Sequence, residues 1–261
     1  AGVVVLEAMR PLHDPAFVAV RDLMRNLGRI RRADLHFGKY SSRYDEILAG
    51  KHTNIFDCAM ATGSLMDIGV YTVEPLIELF GAPESVLAAP VLLDEETRGL
   101  THGPLDGSGV IIARYADFVA TLHFSKITND RLPSQIESET ATLTFDGISV
   151  PTWARVEHRG TAVRAAAKQV HVEEGARTED LELPQVPNTM VYELSDFCDA
   201  VDAVQAGSDP LDAPAGPFGN VRHYRDVTLA SLALMDEARR QMGVSFPADA
   251  LASDAPEAGE R

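Results

Sequence analysis

The chain has 261 residues, of which 45% are hydrophobic and 24% charged, and its formal net charge is −16 at pH 7. This length and apolar content suffice to bury a core, and the acidic balance argues against nucleic acid or an anionic membrane surface as partner, since both require a positive patch. No apolar run approaches the roughly 18 residues of a membrane span, and no signal-peptide pattern opens the chain. The two cysteines, Cys58 and Cys198, fit neither a metal motif nor a disulfide framework, so we expect free thiols in a cytoplasmic protein.

The first residues predict a buried strand followed by a crossover. Residues 2–6 are a β-branched apolar run, typical of strands covered on both faces. Asp14 and Pro15 then predict the capped start of a helix that ends near Leu27. A buried-strand pattern at the very first residue predicts that further chain precedes Ala1.

The remaining pattern predicts one layer of strands and one of helices. A strand over 30–39, a long loop over 40–62 and a helix over 63–80 come first. Strand patterns follow over 86–93, 109–115, 118–126, 134–139, 141–145, 154–158 and 169–172, and helix patterns over 187–206 and 220–242. Residues 248–261 are rich in Ala, Asp, Glu and Pro and predict a disordered acidic tail. This order predicts an α+β fold with a mainly antiparallel sheet covered on one face by helices.

The helix pattern over 63–81 carries the most informative spacing. Asp67 and Tyr71 are four residues apart and therefore project from one face of the helix. Gly69 between them costs helix stability, which predicts that another group approaches the backbone closely there. A carboxylate beside a phenol is either an ordinary surface pair or a proton-handling pair that orients a hydroxyl group. Glu74, farther along, is predicted to be a surface charge.

Four motifs resemble those of the Gfo/Idh/MocA oxidoreductases. The signature of that family is a glycine followed by Asp-x-Gly-x-His or Asp-x-Gly-x-Tyr, and it reads here Gly63, Asp67, Gly69, Tyr71. The tyrosine variant is similar to the dihydrodiol and sugar dehydrogenase side of the family. The segments 4–9, 37–39 (Phe-Gly-Lys) and 244–247 (Val-Ser-Phe-Pro) also match, in the family's order and over nearly the whole chain.

The resemblance implies hydride transfer between NAD or NADP and a hydroxyl carbon of a sugar, cyclitol or dihydrodiol. It makes residues 1–13 the last strand of a nucleotide-binding domain and its crossover, and residues 14–247 the C-terminal substrate-binding and oligomerisation domain, pairing into dimers or tetramers through the sheet face. The family's Gly-x-Gly-x-x-Gly turn and Glu-Lys-Pro motif are absent from the sequence. We therefore expect the Rossmann half, which would bind most of the cofactor, before Ala1, and the chain to be inactive without it.

The resemblance also assigns roles to residues. Asp67 is expected to orient the substrate hydroxyl and Tyr71 to donate or accept its proton. The expected substrate-binding residues are Arg10, His13, Lys39, Tyr44 and Lys126. Arg10 and His13 fit a role in capping or packing at a domain joint as well as they fit substrate binding. Lys126 likewise fits a solvated position at the end of a strand. The histidines show no ligand spacing to carboxylates or cysteines, so no metal site is expected.

Two other functions stay open from the sequence. The chain is alternatively a non-catalytic domain that binds a polyol or dimerises without a nucleotide-binding half. It is alternatively a subunit whose nucleotide-binding half is a separate chain.

Overall fold

The computed structural model of the chain describes residues 2–164 and 171–253, and in these ranges helices cover one face of a large sheet. The helices are α1 (Pro15–Arg25), α2 (Ser42–Leu48), α3 (Val70–Phe80), α4 (Arg98–Thr101), α5 (Met190–Gln205), α6 (Val221–Met242) and α7 (Pro247–Ser253). A single π-helical turn, Leu65–Gly69, immediately precedes α3. None of the described helices combines the length and the apolar character needed to cross a bilayer.

Among the described residues, eight strands form the sheet and two others form a separate ribbon. The strands are β1 (Ile30–Gly38), β2 (Ser85–Leu92), β3 (Asp106–Arg114), β4 (Val119–Ser125), β5 (Ser134–Ser138), β6 (Ala141–Phe145), β7 (Trp153–His158), β8 (Thr161–Arg164), β9 (His171–Glu174) and β10 (Arg177–Glu182). The order across the sheet is β10-β7-β6-β5-β1-β4-β3-β2, and β8 pairs with β9. β1 and β4 run parallel, whereas the other neighbouring pairs are antiparallel. This architecture confirms the predicted α+β fold.

The period-two pattern of β1 shows how the sheet separates its faces. Ala33 and Leu35 are fully buried on the side that the helices cover. Asp34 and His36 point the opposite way and remain partly exposed, because consecutive side chains of a strand alternate between faces. The helix-covered face is therefore the apolar core, and the other face is open.

Residues 2–6 do not form the predicted buried strand. Val3 and Val5 are 62% and 73% exposed, and the segment pairs with no other strand of the described chain. A β-branched run becomes a strand only where a neighbour takes up its backbone hydrogen bonds. The segment is apolar, as the sequence indicates, but the pairing that a strand requires is not present among the described residues.

Side-chain caps start α1 and α2, and a third, at Asn220, starts α6. Asp14 accepts a hydrogen bond from the first turn of α1, as predicted, and Ser41 caps α2 in the same way. The segment 40–62 also contains two 3-10 turns, Asn54–Phe56 and Cys58–Met60. The prediction of an irregular loop there is therefore wrong in part, because a local cap can start a helix too short to show a periodic pattern.

The C-terminal tail is ordered for longer than its composition predicts. Residues 248–253 belong to α7, which Asp249 ties to the preceding helix through two hydrogen bonds from the guanidinium of Arg239, both 3.0 Å long. The prediction of disorder from residue 248 is wrong for this part, and residues 254–261 lie outside the described ranges, as do residues 169 and 170 of the predicted strand 169–172.

Glu74 is buried between α3 and α6, which corrects the prediction of a surface charge. It is 2% exposed, and the hydroxyl of Thr228 donates a 3.0 Å hydrogen bond to its Oε1 atom. Burial raises the pKa of Glu74 to about 7, although the hydrogen bond from Thr228 acts in the opposite direction. The apolar residues around Glu74 define the buried face of α3. The sequence alone does not show that the Glu74 side chain lies on this face.

We predict that Glu74→Gln makes the fold less sensitive to alkaline pH. The folded-state pKa of Glu74 lies above its unfolded value, so its contribution is fully present below about pH 4.5 and is lost as pH rises through about 7. Between pH 5 and pH 8 the wild type should lose about 2–3 kcal/mol of unfolding free energy that the variant retains. Urea unfolding at both pH values measures this difference. Glu96→Gln, an exposed control, should follow the wild type, and an equal pH response of both variants would contradict the prediction.

Candidate functional site

The signature segment begins at a fixed point on the sheet. Asp106, at the start of β3, is 1% exposed, and its Oδ2 atom accepts a 2.6 Å hydrogen bond from the backbone N–H of Leu65. A Cβ atom on Gly63 would lie 2.5 Å from Asp106 Oδ1, and Gly63 has φ +138°, so glycine is required there. Burial raises the pKa of Asp106 to about 6, against backbone hydrogen bonds that favour its charged form. The carboxylate thus binds free N–H groups at the start of a helix.

Gly69 allows the helix to lie directly on the sheet. A Cβ atom at Gly69 would lie 3.1 Å from Cγ of Phe124 on β4 and 2.7 Å from Cδ1 of Leu65. The predicted close approach to the backbone at Gly69 is therefore confirmed, and the approaching group is an aromatic ring of the core. The π-helical turn that ends at Gly69 adds one residue to the helical turn that carries Asp67, a device often found at functional sites.

Asp67 forms an ion pair with Lys126, which follows the last residue of β4. The ammonium group of Lys126 contacts Oδ2 of Asp67. The Lys126 side chain is 3% exposed, whereas that of Asp67 is 38% exposed. The ring of Phe56 covers the ammonium, with its centroid 5.4 Å from Nζ. Lys126 is therefore a buried cation, not a solvated strand end, and the carboxylate that neutralises it keeps one side open.

Tyr71 lies one turn beyond Asp67 and packs against Phe37, with ring centroids 5.0 Å apart. Burial raises the pKa of the Tyr71 phenol, and the charge of Asp67 acts in the same direction. The positive charge of Arg10 opposes this increase. A phenol whose pKa is raised is protonated at neutral pH, so Tyr71 is a hydrogen-bond donor in this structure.

The two candidates of the crossover have different environments. Arg10 is half-buried, its charge reaches Tyr71, and its Nε atom is buried without a partner in the described chain. His13 is 3% exposed, stacks on Tyr224 at 4.9 Å, and lies with Nδ1 2.7 Å from Oδ2 of Asp196. This geometry favours the packing role for His13, since both its ring and one nitrogen have protein partners.

Of the remaining candidates, Tyr44 lies near the ion pair of Asp67 and Lys126. Lys39 forms a hydrogen bond next to this pair through its backbone N–H only. The ring of Tyr44 contacts Phe56 at 5.9 Å, and Phe56 in turn covers Lys126. The backbone N–H of Lys39 donates to the carbonyl of Ser125, but its side chain is exposed and makes no ion pair within the described ranges.

A groove of about 500 Å³ lies next to the site, between residues 6–8 and α5. Apolar side chains of α5 and of residues 6–8 form most of it, and Glu7 and Glu193 provide its acidic groups. The charges of both glutamates raise the pKa of Tyr71, so the groove lies beside the tyrosine end of the site. Asp67 and Lys126 do not line it.

The structure groups histidines with carboxylates that the sequence separates. Asp34, His36 and His123 meet on the open sheet face, and His52, Asp57 and His102 meet beside the 3-10 turns. In each group one residue comes from a distant segment, so the lack of ligand spacing in the sequence did not exclude either cluster. The expectation of no metal site relied on the spacing of ligands along the sequence, and such spacing does not reveal groups that the fold assembles from distant segments.

Sequence reasoning missed the residues that support the site. Asp106 is 41 positions from Leu65, and Phe56 is farther still from Lys126, so no periodic pattern connects them. The available signal was Gly63, because a glycine directly before a helix marks a position where another group approaches the backbone. That signal locates the contact but does not identify Asp106 as its partner.

Comparisons with known proteins identify the relatives of the chain. Residues 17–145 match the family model described as the GFO/IDH/MocA C-terminal domain. The scyllo-inositol 2-dehydrogenase (NADP(+)) IolU of Bacillus subtilis strain 168 is 32% identical over 248 residues, which are 95% of this chain and 65% of that protein. The uncharacterized oxidoreductase YgjR of Escherichia coli K12 is 32% identical over 249 residues, with the same coverage. The chain thus spans 65% of the length of the curated relatives it matches.

A solved structure shows the same fold at low sequence identity. KijD10, a 3-ketoreductase from Actinomadura kijaniata in complex with NADP and TDP-benzene, superposes with a TM-score of 0.65 and 18% identity. The superposition covers 92% of this chain and 63% of that one.

We predict that Asp106 holds the start of the signature segment through its acceptor oxygens. Asp106→Ala leaves the N–H of Leu65 buried without a partner and should lower the free energy of unfolding by about 1–3 kcal/mol. Asp106→Asn keeps one acceptor oxygen and should lose about half as much. Urea unfolding curves of both variants measure the effect, and equal losses would show that the acceptor oxygen is not what matters.

Proposed function

Because the chain belongs to the Gfo/Idh/MocA family, we propose that it is the substrate-binding part of an NAD(P)-dependent oxidoreductase. The substrate is a sugar, cyclitol or dihydrodiol whose hydroxyl carbon is oxidised. One observation carries the proposal: the ion pair between the partly exposed Asp67 and the buried Lys126 lies one helical turn from the protonated phenol of Tyr71. This arrangement presents an acceptor and a donor to one hydroxyl group.

The chain's own residues handle the hydroxyl group and its proton. Asp67 accepts a hydrogen bond from the substrate hydroxyl through its exposed side, and the ion pair with Lys126 fixes the orientation of that carboxylate. The phenol of Tyr71 donates to the substrate oxygen and returns a proton to it when a carbonyl is reduced. In the oxidative direction the hydroxyl proton passes to a deprotonated Tyr71, a form that the charge of Arg10 favours and that burial and the charge of Asp67 disfavour. A nicotinamide supplies the hydride chemistry when bound.

The described residues do not complete a dinucleotide site. The sequence has no Gly-x-Gly-x-x-Gly turn, which normally cradles the pyrophosphate. Nε of Arg10 is an unpartnered donor in the crossover, and one donor does not replace several backbone N–H groups. We therefore propose that NAD or NADP is held mainly by a domain outside this sequence, and that the 261 residues alone transfer no hydride.

The open sheet face supports a homo-oligomer. Leu87, Val91 and Ile112 are 67%, 54% and 39% exposed on β2 and β3, and Leu87 is the register partner of Ile112. Adjacent exposed apolar side chains on a sheet are a common feature of subunit interfaces. We propose that two copies pair through this face, as a dimer or as half of a tetramer.

We predict that Asp67→Asn, Tyr71→Phe and Lys126→Met each lower kcat in the full-length enzyme by about 10²–10⁴, the range for groups that position or transfer a proton. Turnover of a panel of cyclitols, sugars and dihydrodiols with NAD and with NADP measures this. Thermal unfolding should show that Asp67→Asn and Tyr71→Phe remain folded.

Matched exposed controls separate site effects from general ones. Asp117→Asn and Lys51→Met remove similar groups from exposed positions and should leave kcat unchanged. Unchanged rates in the three site variants would remove those residues from the mechanism. A full-length wild type that turns over none of the panel would instead favour a non-catalytic, polyol-binding or dimerising domain.

We predict that Ile112→Asp weakens the oligomer, because it places a charge in the middle of an apolar interface. Light scattering after gel filtration should show a shift toward the monomer at micromolar concentration. Leu229→Asp, on the helical layer and 56% exposed, is the control and should leave the mass unchanged. A monomeric wild type would contradict the proposed assembly.

A further inference from the structure

Three side chains from two separate segments converge beside the 3-10 turns. Oδ2 of Asp57 lies 2.8 Å from Nε2 of His52, and Oδ1 lies 2.7 Å from Nδ1 of His102. Asp57 and His102 are 45 residues apart in the sequence. The Asp57 side chain is 6% exposed, whereas the two histidine side chains are 48% and 54% exposed. One buried carboxylate thus faces two imidazoles that solvent can reach.

The backbone fixes the carboxylate independently of the histidines. The N–H of Ala59 donates a 2.8 Å hydrogen bond to Oδ1 of Asp57, and the N–H of Asp57 donates to Oγ1 of Thr62. Such outer contacts orient the ligands of metal sites.

The cluster also coincides with unusual backbone. His102 has φ +54° and Ala61 has φ +53°, and within residues 2–164 and 171–253 these are the non-glycine residues with positive φ. A non-glycine residue with this backbone conformation is strained, and such residues concentrate at ligand sites. The left-handed backbone at His102 belongs to the segment that brings its ring to Asp57.

We propose that His52, Asp57 and His102 bind a divalent first-row transition-metal ion, for which Zn²⁺ is the natural probe. Two imidazoles and a carboxylate are a ligand set that Zn²⁺ accepts, with water completing the coordination. Bonds of about 2.0–2.2 Å to each ligand require the nitrogen–oxygen distances to widen by roughly half an ångström. The half-exposed rings can make this movement. The bound ion connects the segment next to Phe56 with the segment at His102. Because the ring of Phe56 covers the ammonium of Lys126, the ion also fixes that cover.

The second histidine cluster is less suited to a metal and serves as the control. The rings of His36 and His123 stack at 4.4 Å with an angle of 2° between their planes, so their nitrogen lone pairs lie in parallel planes. Asp34 is 3.8 Å from His123 and is also paired with Arg32. His36 is already hydrogen-bonded to Asp130.

Calorimetric titration of the purified intact protein with Zn²⁺ at neutral pH tests the proposal. We expect one ion per chain for the wild type and for His123→Ala, and binding about tenfold or more weaker for His52→Ala and His102→Gly. His102→Gly removes a ligand and also relieves the positive φ, so it should lose Zn²⁺ binding while thermal unfolding shows equal or higher stability.

Three outcomes would overturn the proposal. They are no Zn²⁺ binding by the wild type, binding that survives the loss of both His52 and His102, and binding that is lost in His123→Ala alone. The first of these would show that the two imidazoles serve only as hydrogen-bond donors to a buried carboxylate. None of these measurements depends on enzyme activity. Failure of the proposed metal site can therefore be distinguished from failure of the proposed oxidoreductase function.

Discussion

The close approach of the signature helix to the sheet determines the rest of the site. It requires a glycine at Gly69, where Phe124 occupies the space of a side chain, and a buried acceptor at Asp106, which fixes where the helix begins. With both ends of the π-helical turn held in this way, Asp67 reaches the ammonium of Lys126 without further adjustment. The positions of Asp67 and Lys126 are therefore a result of core packing at Gly69 and Asp106.

The ion pair makes stability and chemistry depend on the same atoms. A buried ammonium without a counter-ion is strongly unfavourable, so the buried position of Lys126 depends on its contact with Asp67. Phe56 adds a ring face to that environment and links it to Tyr44. A ligand hydroxyl group that binds the open side of Asp67 thus meets a carboxylate whose orientation the fold has already fixed, which reduces the entropy lost on binding.

The sequence was informative where a residue type has one physical explanation. Gly69 predicted a close contact and Asp14 a helix cap, and both interactions are present, because glycine and aspartate at those positions act locally. The prediction failed where the partner is remote. Glu74 is buried by α6, which lies about 150 residues later in the chain, and the apolar run 2–6 lacks a partner strand in the described ranges. Of the candidate site, the placement of Asp67 and Tyr71 on one helical segment could be predicted, whereas the partner of Asp67 could not be distinguished from a solvated lysine.

The position of β1 in the sheet has a consequence for how the chain folds. The strands β2–β4 and β5–β7 are two runs in which sequence neighbours pair, and such pairs form with short loop closures. β1 joins them, through contacts such as Arg32 with Val119 and Arg32 with Glu137 that close loops of roughly 90 to 100 residues. The two runs can therefore form early, while their joining is slow, and until β1 is in place each run exposes an unpaired central edge to other chains. Nascent chains of this protein are accordingly most prone to aggregate at the strands that later surround β1.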